Sequence, residues 1–118
     1  PPSSWQAVGL NECWRLAKYV PGDRFGRHVD ANFVRSENEI SMFTVNIYMN
    51  GGFEGGATRF YATKDDQDGP IPDLVVRPEA GLAAIFRQPP EAALSHDGEE
   101  LRNGVKYLFR TDVMYRAM

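Results

Sequence analysis

Apolar residues along this chain fall into short runs cut by Gly, Pro, Asp and Asn, with no sustained 3.6-residue spacing and no internal repeat. That rhythm predicts short strands joined by turns, as in a sandwich or barrel. The runs cover residues 14–20, 25–30, 41–49, 57–62, 74–77, 82–87 and 105–115. Pro21-Gly22-Asp23, Asn50-Gly51-Gly52 and Gly55-Gly56 supply turns between them, and the paired glycines read as turn positions needing positive φ. Residues 5–13 read as loop or a short helical turn. Residues 64–72 are acidic and turn-rich and read as an exposed loop, and Pro89-Pro90 opens an irregular segment.

Side chains alternate across a strand, so residues i and i+2 share a face. In residues 41–49, Phe43, Val45, Ile47 and Met49 form an apolar face suited to a core between sheets. Met42, Thr44, Asn46 and Tyr48 form a mixed, hydrogen-bonding face suited to a ligand cavity, with Thr44 and Asn46 as lining candidates. In the closing strand Val105, Tyr107, Phe109 and Val113 share one face. Lys106, Leu108, Arg110 and Asp112 share the other. Two cations on one strand face are either solvated or aimed at an anion, and Leu108 between them argues against full solvation.

The bulk numbers narrow the classes. The 118 residues suit one domain, treated as a single core over 1–118 that is a candidate piece of a longer chain. Hydrophobic residues at 42% and charged residues at 25% give an ordinary globular balance. A net charge of -3 offers no basic excess for nucleic acid. No apolar run approaches the roughly 18 residues that span a bilayer. The single cysteine, Cys13, forms no internal disulfide and reads as a small buried hydrophobe. With no leader-like segment at the start, this favours the cytoplasm.

The only histidines are His28 and His96. His28-Val29-Asp30 places imidazole and carboxylate on one face of a strand, close enough to share a metal. A third ligand from a distant strand would complete two histidines and one carboxylate, leaving three octahedral positions open, as in non-haem iron(II) oxygenases. The spacing alone is common by chance, and His96 before Asp97-Gly98 could be a turn histidine.

The surrounding residues resemble the prolyl 4-hydroxylase-like branch of the 2-oxoglutarate/iron(II) oxygenase superfamily from about Asn11 to Arg116. The stretch from Arg15 into His28-Val29-Asp30 resembles the family's strand–turn–strand approach to its metal motif. Thr44-Val45-Asn46-Ile47-Tyr48-Met49-Asn50 resembles its next core strand. Phe53-Glu54-Gly55-Gly56-Ala57-Thr58-Arg59-Phe60 is similar to its F-x-G-G-x-T-x-F segment, and Pro78 to Phe86 to its P-x-x-G-x-x-x-x-F strand. Ser95-His96-Asp97-Gly98 through Tyr115 resembles its closing histidine-to-lysine segment. Each piece alone is weak; the order of all five carries the resemblance.

The resemblance implies an all-β double-stranded β-helix, a jelly-roll or cupin-like barrel, with little helix. It implies iron(II) on His28, Asp30 and His96, and a distal carboxylate of 2-oxoglutarate on Lys106, ten residues after His96. Tyr19 and Tyr48 match positions that contact the co-substrate in related enzymes, and Arg110 is a further candidate there. The implied partners are dioxygen, 2-oxoglutarate and a peptide or small-molecule substrate, with ascorbate as an accessory. The implied reaction hydroxylates a substrate C–H bond, a prolyl residue being the family-level choice, with release of succinate and carbon dioxide. The alternative is a non-catalytic or differently catalytic cupin-like metal-binding barrel.

Overall fold

The computed structural model describes residues 4–62, 71–90 and 94–118. Most of the sequence reading of residues 64–72 therefore lies outside the described residues. The strands are β1 (Trp5–Leu10), β2 (Arg15–Tyr19), β3 (Phe25–His28), β4 (Val34–Ser36), β5 (Glu39–Tyr48) and β6 (Glu54–Gly55). They continue with β7 (Thr58–Tyr61), β8 (Leu74–Val76), β9 (Ala83–Arg87), β10 (Ser95–Gly98), β11 (Leu101–Asn103) and β12 (Lys106–Ala117). No helix occurs among the described residues.

The two longest strands form the spine. β12 pairs antiparallel with β5 from Leu108↔Tyr48 to Arg116↔Glu39. Along its other edge β12 pairs first with β2 and then with β1, while β5 pairs with β9 and β4. These six strands make one sheet; β3-β10-β7-β8 make a second, and β11-β6 a short ribbon. The two larger sheets face each other. Tyr48 Oη meets Thr58 Oγ1 at 2.5 Å across the gap, and the Phe60 and Phe86 rings pack edge-on at 5.0 Å. Both rings are buried, each contributing about 1.5–3 kcal/mol of apolar burial. The expected all-β jelly-roll barrel is the fold observed.

The faces of β5 are distributed differently from the expectation. The mixed face, with Thr44, Asn46 and Tyr48, turns toward the second sheet and is buried. The apolar face is the outer one. There, Ile47 and Phe43 lie in register with Phe109 and Val113 of β12, and Leu16 and Ile85 on flanking strands are exposed. The interior thus carries polar side chains beside the buried Phe60 and Phe86, and of the apolar face of β5 Val45 alone is buried.

Two local expectations change. Residues 5–13 are not helical: Trp5–Leu10 pairs with the end of β12, from Trp5↔Ala117 to Leu10↔Val113. A bulge between Ala7 and Gly9 breaks the alternation that would have revealed the strand. Cys13 is exposed rather than buried. Asn11 takes the buried position instead, its side-chain Oδ1 accepting from the Cys13 amide at 3.0 Å and its carbonyl from Thr111 Oγ1 at 2.7 Å.

Candidate metal centre

His28 ends β3 and His96 lies in β10; they are direct cross-strand partners with ring centroids 4.3 Å apart. Asp30 follows β3 by two residues and is buried. One ligand atom from each of the three lies within 4.8 Å of the others. Asp30 Oδ1 is 3.1 Å from His28 Nε2 and 3.3 Å from His96 Nε2. The spacing thus brings together all three residues singled out as ligands.

Proton placement bears on whether a metal fits. His28 Nδ1 lies 2.7 Å from the Gly26 carbonyl and His96 Nδ1 lies 3.2 Å from the Leu94 carbonyl. A carbonyl only accepts, so each Nδ1 carries a proton and each Nε2 is the ring atom turned toward Asp30 Oδ1. At 3.1 and 3.3 Å each Nε2 shares either a proton or a cation with Asp30 Oδ1. Burial by itself raises the Asp30 pKa, but hydrogen bonds to His96 and Thr44 and the charge of Arg110 outweigh it. The carboxyl is held well below its usual range and remains an anion. Two imidazoles and one carboxylate fit a first-row divalent metal.

A buried polar network backs Asp30. Thr44 Oγ1 donates to Asp30 Oδ2 at 2.7 Å and accepts from Gln88 Nε2 at 2.9 Å. Gln88 Nε2 also donates to Asp112 Oδ1 at 2.8 Å, and Gln88 Oε1 accepts from Ser41 Oγ at 2.5 Å. Arg110 sits at this end of the cleft, 3.6 Å from Asp30 Oδ2 and 3.9 Å from Asp112 Oδ1.

The same cleft is lined by Tyr19, Asn46, Thr58, Leu108 and Lys106 as well as the triad and Arg110. Lys106 is 2% exposed, and its face of β12 is therefore not a wet one. Its Nζ donates to the Gly56 carbonyl at 2.9 Å and lies 4.4 Å from the Tyr19 ring centroid. Burial pushes the ammonium down to about 8, against a smaller upward pull from Glu99. Among the described residues no carboxylate forms an ion pair with Lys106. Asn46 Oδ1 is the buried side-chain polar atom left without a partner among the described residues.

Tyr48 is placed differently from Tyr19. Its ring flanks Lys106 at 5.7 Å, but its hydroxyl is engaged by Thr58 Oγ1 and by the Thr58 amide at 3.1 Å. It is fully buried behind the cleft wall. On the far face of β10, Asp97 forms a two-pronged ion pair with Arg59 at 2.8 and 2.9 Å and accepts from Tyr61 Oη at 2.9 Å. This brace fixes the strand that carries His96.

Sequence reasoning did not single out Gln88, Ser41 or the Gly56 carbonyl. Gln88 carried a readable sign: it shares parity with Ala84 and Phe86, so the residue after that apolar run faces the interior. Nothing local marked the Gly56 carbonyl.

A double-stranded β-helix with two histidines and one carboxylate at one end of its cleft, and a buried cation in the same cleft, defines the non-haem iron oxygenase type of barrel. A profile of the 2OG-Fe(II) oxygenase superfamily matches residues 14–111, and the chain belongs to that superfamily. Among solved structures it is similar to the viral collagen prolyl hydroxylase vCPH from Paramecium bursaria Chlorella virus-1 in its 2OG complex. The TM-score is 0.64 at 20% identity, over 99% of this chain and 63% of that one. A Pseudomonas putida prolyl-4-hydroxylase matches with a TM-score of 0.62 at 21% identity, over 89% of this chain and 52% of that one. The chain thus spans less than two thirds of each of these relatives. No curated protein matches the sequence. No helix among the described residues is long and apolar enough to cross a membrane.

Proposed function

We propose that this chain is the catalytic core of an iron(II)- and 2-oxoglutarate-dependent oxygenase that hydroxylates a C–H bond of its substrate, releasing succinate and carbon dioxide. The observation that carries the reading is a three-ligand cluster and a buried cation without a carboxylate partner, both opening on one cleft.

His28, Asp30 and His96 would hold iron(II), with coordination positions left for a chelating oxo acid and dioxygen. Bound iron would supply the coupling of 2-oxoglutarate decarboxylation to dioxygen activation. Lys106 binds the distal carboxylate, its charge undiluted by water in the buried site. Tyr19 forms the wall beside that ammonium, and Tyr48 backs it from behind. Asn46 offers an amide to whatever occupies the cleft. Arg110 lies at the metal end, where it offsets the charges of Asp30 and Asp112 and faces the incoming substrate.

The substrate class we propose is a prolyl residue in a peptide, the reading that the two prolyl hydroxylase neighbours favour. Succinate formation from 2-oxoglutarate with iron(II), ascorbate as reductant and proline-containing peptides tests it. The reading fails if the protein shows neither turnover nor metal-dependent 2-oxoglutarate binding. Metal binding without 2-oxoglutarate binding would instead identify a metal barrel of another activity.

A further inference from the structure

Two carboxylates are buried at the metal end of the barrel, Asp30 and Asp112, yet they have different surroundings. Asp30 Oδ1 faces both histidines, while Asp30 Oδ2 is taken by Thr44. Asp112 lies in register with Thr44 on the neighbouring strand and is bound by Gln88. Gln88 therefore touches both arms of the arrangement: one amide nitrogen donates to the Thr44 hydroxyl and to Asp112. Its oxygen accepts from Ser41 Oγ, and Asn32 Nδ2 approaches at 3.5 Å. Gln88, Thr44 and Ser41 are each 0% exposed.

The donor order in this chain has one solution. Gln88 Nε2 can only donate, so Thr44 Oγ1 accepts there and its single proton goes to Asp30 Oδ2. That leaves Oδ1 as the Asp30 oxygen presented to the histidines. We infer that Gln88 is a positioning residue for the metal centre: it orients the Thr44 hydroxyl, which fixes Asp30 as a one-oxygen ligand. It also holds Asp112 in place beside them. The inference rests on the metal-centre reading above. Removing partners behind a ligand commonly lowers metal affinity by roughly 10–100-fold.

Cobalt(II) binding, followed by its visible absorption spectrum and by titration, tests the assignment without turnover. Gln88→Met, close in size and without donors, weakens cobalt(II) binding about tenfold or more and changes the spectrum. Thr44→Val does the same, while Thr44→Ser, which keeps the hydroxyl, stays close to the unaltered protein. The double variant Thr44→Val/Gln88→Met is no worse than the poorer single one, because both break one chain. Asn50→Ala supplies the stability control. Asn50 is hydrogen-bonded to Val105 and Tyr107 at 2.7 and 2.8 Å, away from the triad, and its loss leaves the spectrum unchanged. Should Gln88→Met not fold, Ser41→Ala, which frees the Gln88 oxygen, gives the same spectral change in smaller measure. Unaltered cobalt(II) affinity and spectrum in Gln88→Met, or in Ser41→Ala where that stands in, overturns the inference. So does failure of Thr44→Ser to rescue. Unaltered affinity in Asp30→Ala would overturn the metal-centre reading itself, a separate result.

Discussion

Lys106 and Tyr19 face each other across β12 and β2 as direct register partners, the ammonium 4.4 Å from the centre of the phenol ring. The cation is fully buried, and its nearest protein acceptor is a neutral carbonyl. A charge in that position is costly to the free protein and useful only when an anion arrives.

Replacing Lys106 with Met should therefore separate stability from function. Desolvation lowers the pKa from 10.5 to about 8, on the order of 3 kcal/mol of disfavoured charge. Losing the bond to Gly56 gives back roughly 1 kcal/mol. Lys106→Met should be more stable by about 1–2 kcal/mol, visible as a higher melting temperature, and should lose 2-oxoglutarate binding. A melting temperature well below that of the unaltered protein would contradict the account.

The same burial sets a pH dependence. Below about 8 the folded protein carries the charged ammonium; between about 8 and 10.5 only the unfolded chain does. Stability in the absence of co-substrate thus rises with pH through that window. Affinity moves the other way, since the carboxylate needs the charged form. Calorimetry on the metal-loaded protein should show 2-oxoglutarate binding weakening about tenfold from pH 7 to 9. Lys106→Arg, whose side chain keeps its charge, should show no such loss.

The two tyrosines should respond differently. Tyr48→Phe strands the Thr58 hydroxyl and amide and should cost about 1–3 kcal/mol of stability with little change in 2-oxoglutarate affinity. Tyr19→Leu removes the ring beside the ammonium and should weaken that affinity by several-fold. Denaturant melts and binding isotherms for both variants check the division; the reverse pattern would make the Tyr48 phenol the co-substrate contact.

Gly56 leaves little room for a side chain. Its φ is +72°, and a Cβ there would lie 3.0 Å from Phe53 Cε1, 3.2 Å from Lys106 Cδ and 3.3 Å from Leu101 Cδ1. Gly56→Ala should lose about 1–3 kcal/mol through the backbone and these contacts. Because it displaces Lys106, 2-oxoglutarate binding should fall further than the stability loss explains, as a binding titration on the folded fraction would show.

The parts legible in the sequence were those with local signatures. A strand as long as β5 displays its two faces in its own residues, so Thr44 and Asn46 stood out as interior positions. His28 and Asp30 are two residues apart, so they stay neighbours although the strand expected over 25–30 ends at His28. What escaped depends on partners far away in the chain. Gln88 meets Thr44 across 44 residues and Thr111 meets Asn11 across 100. The apolar face of β5 was assigned to the inter-sheet core because most sandwiches bury their apolar sides there. Here the face with Thr44, Asn46 and Tyr48 turns to the second sheet instead, and alternation alone does not say which face turns inward.

Each histidine of the triad is clamped by the carbonyl two residues earlier in its own chain segment, Gly26 for His28 and Leu94 for His96. Those clamps need neither the ion nor any other sheet. The rings are thus already turned with Nε2 inward and a proton held on Nδ1. A metal ion would therefore find both side chains in place, with no search for the inward orientation.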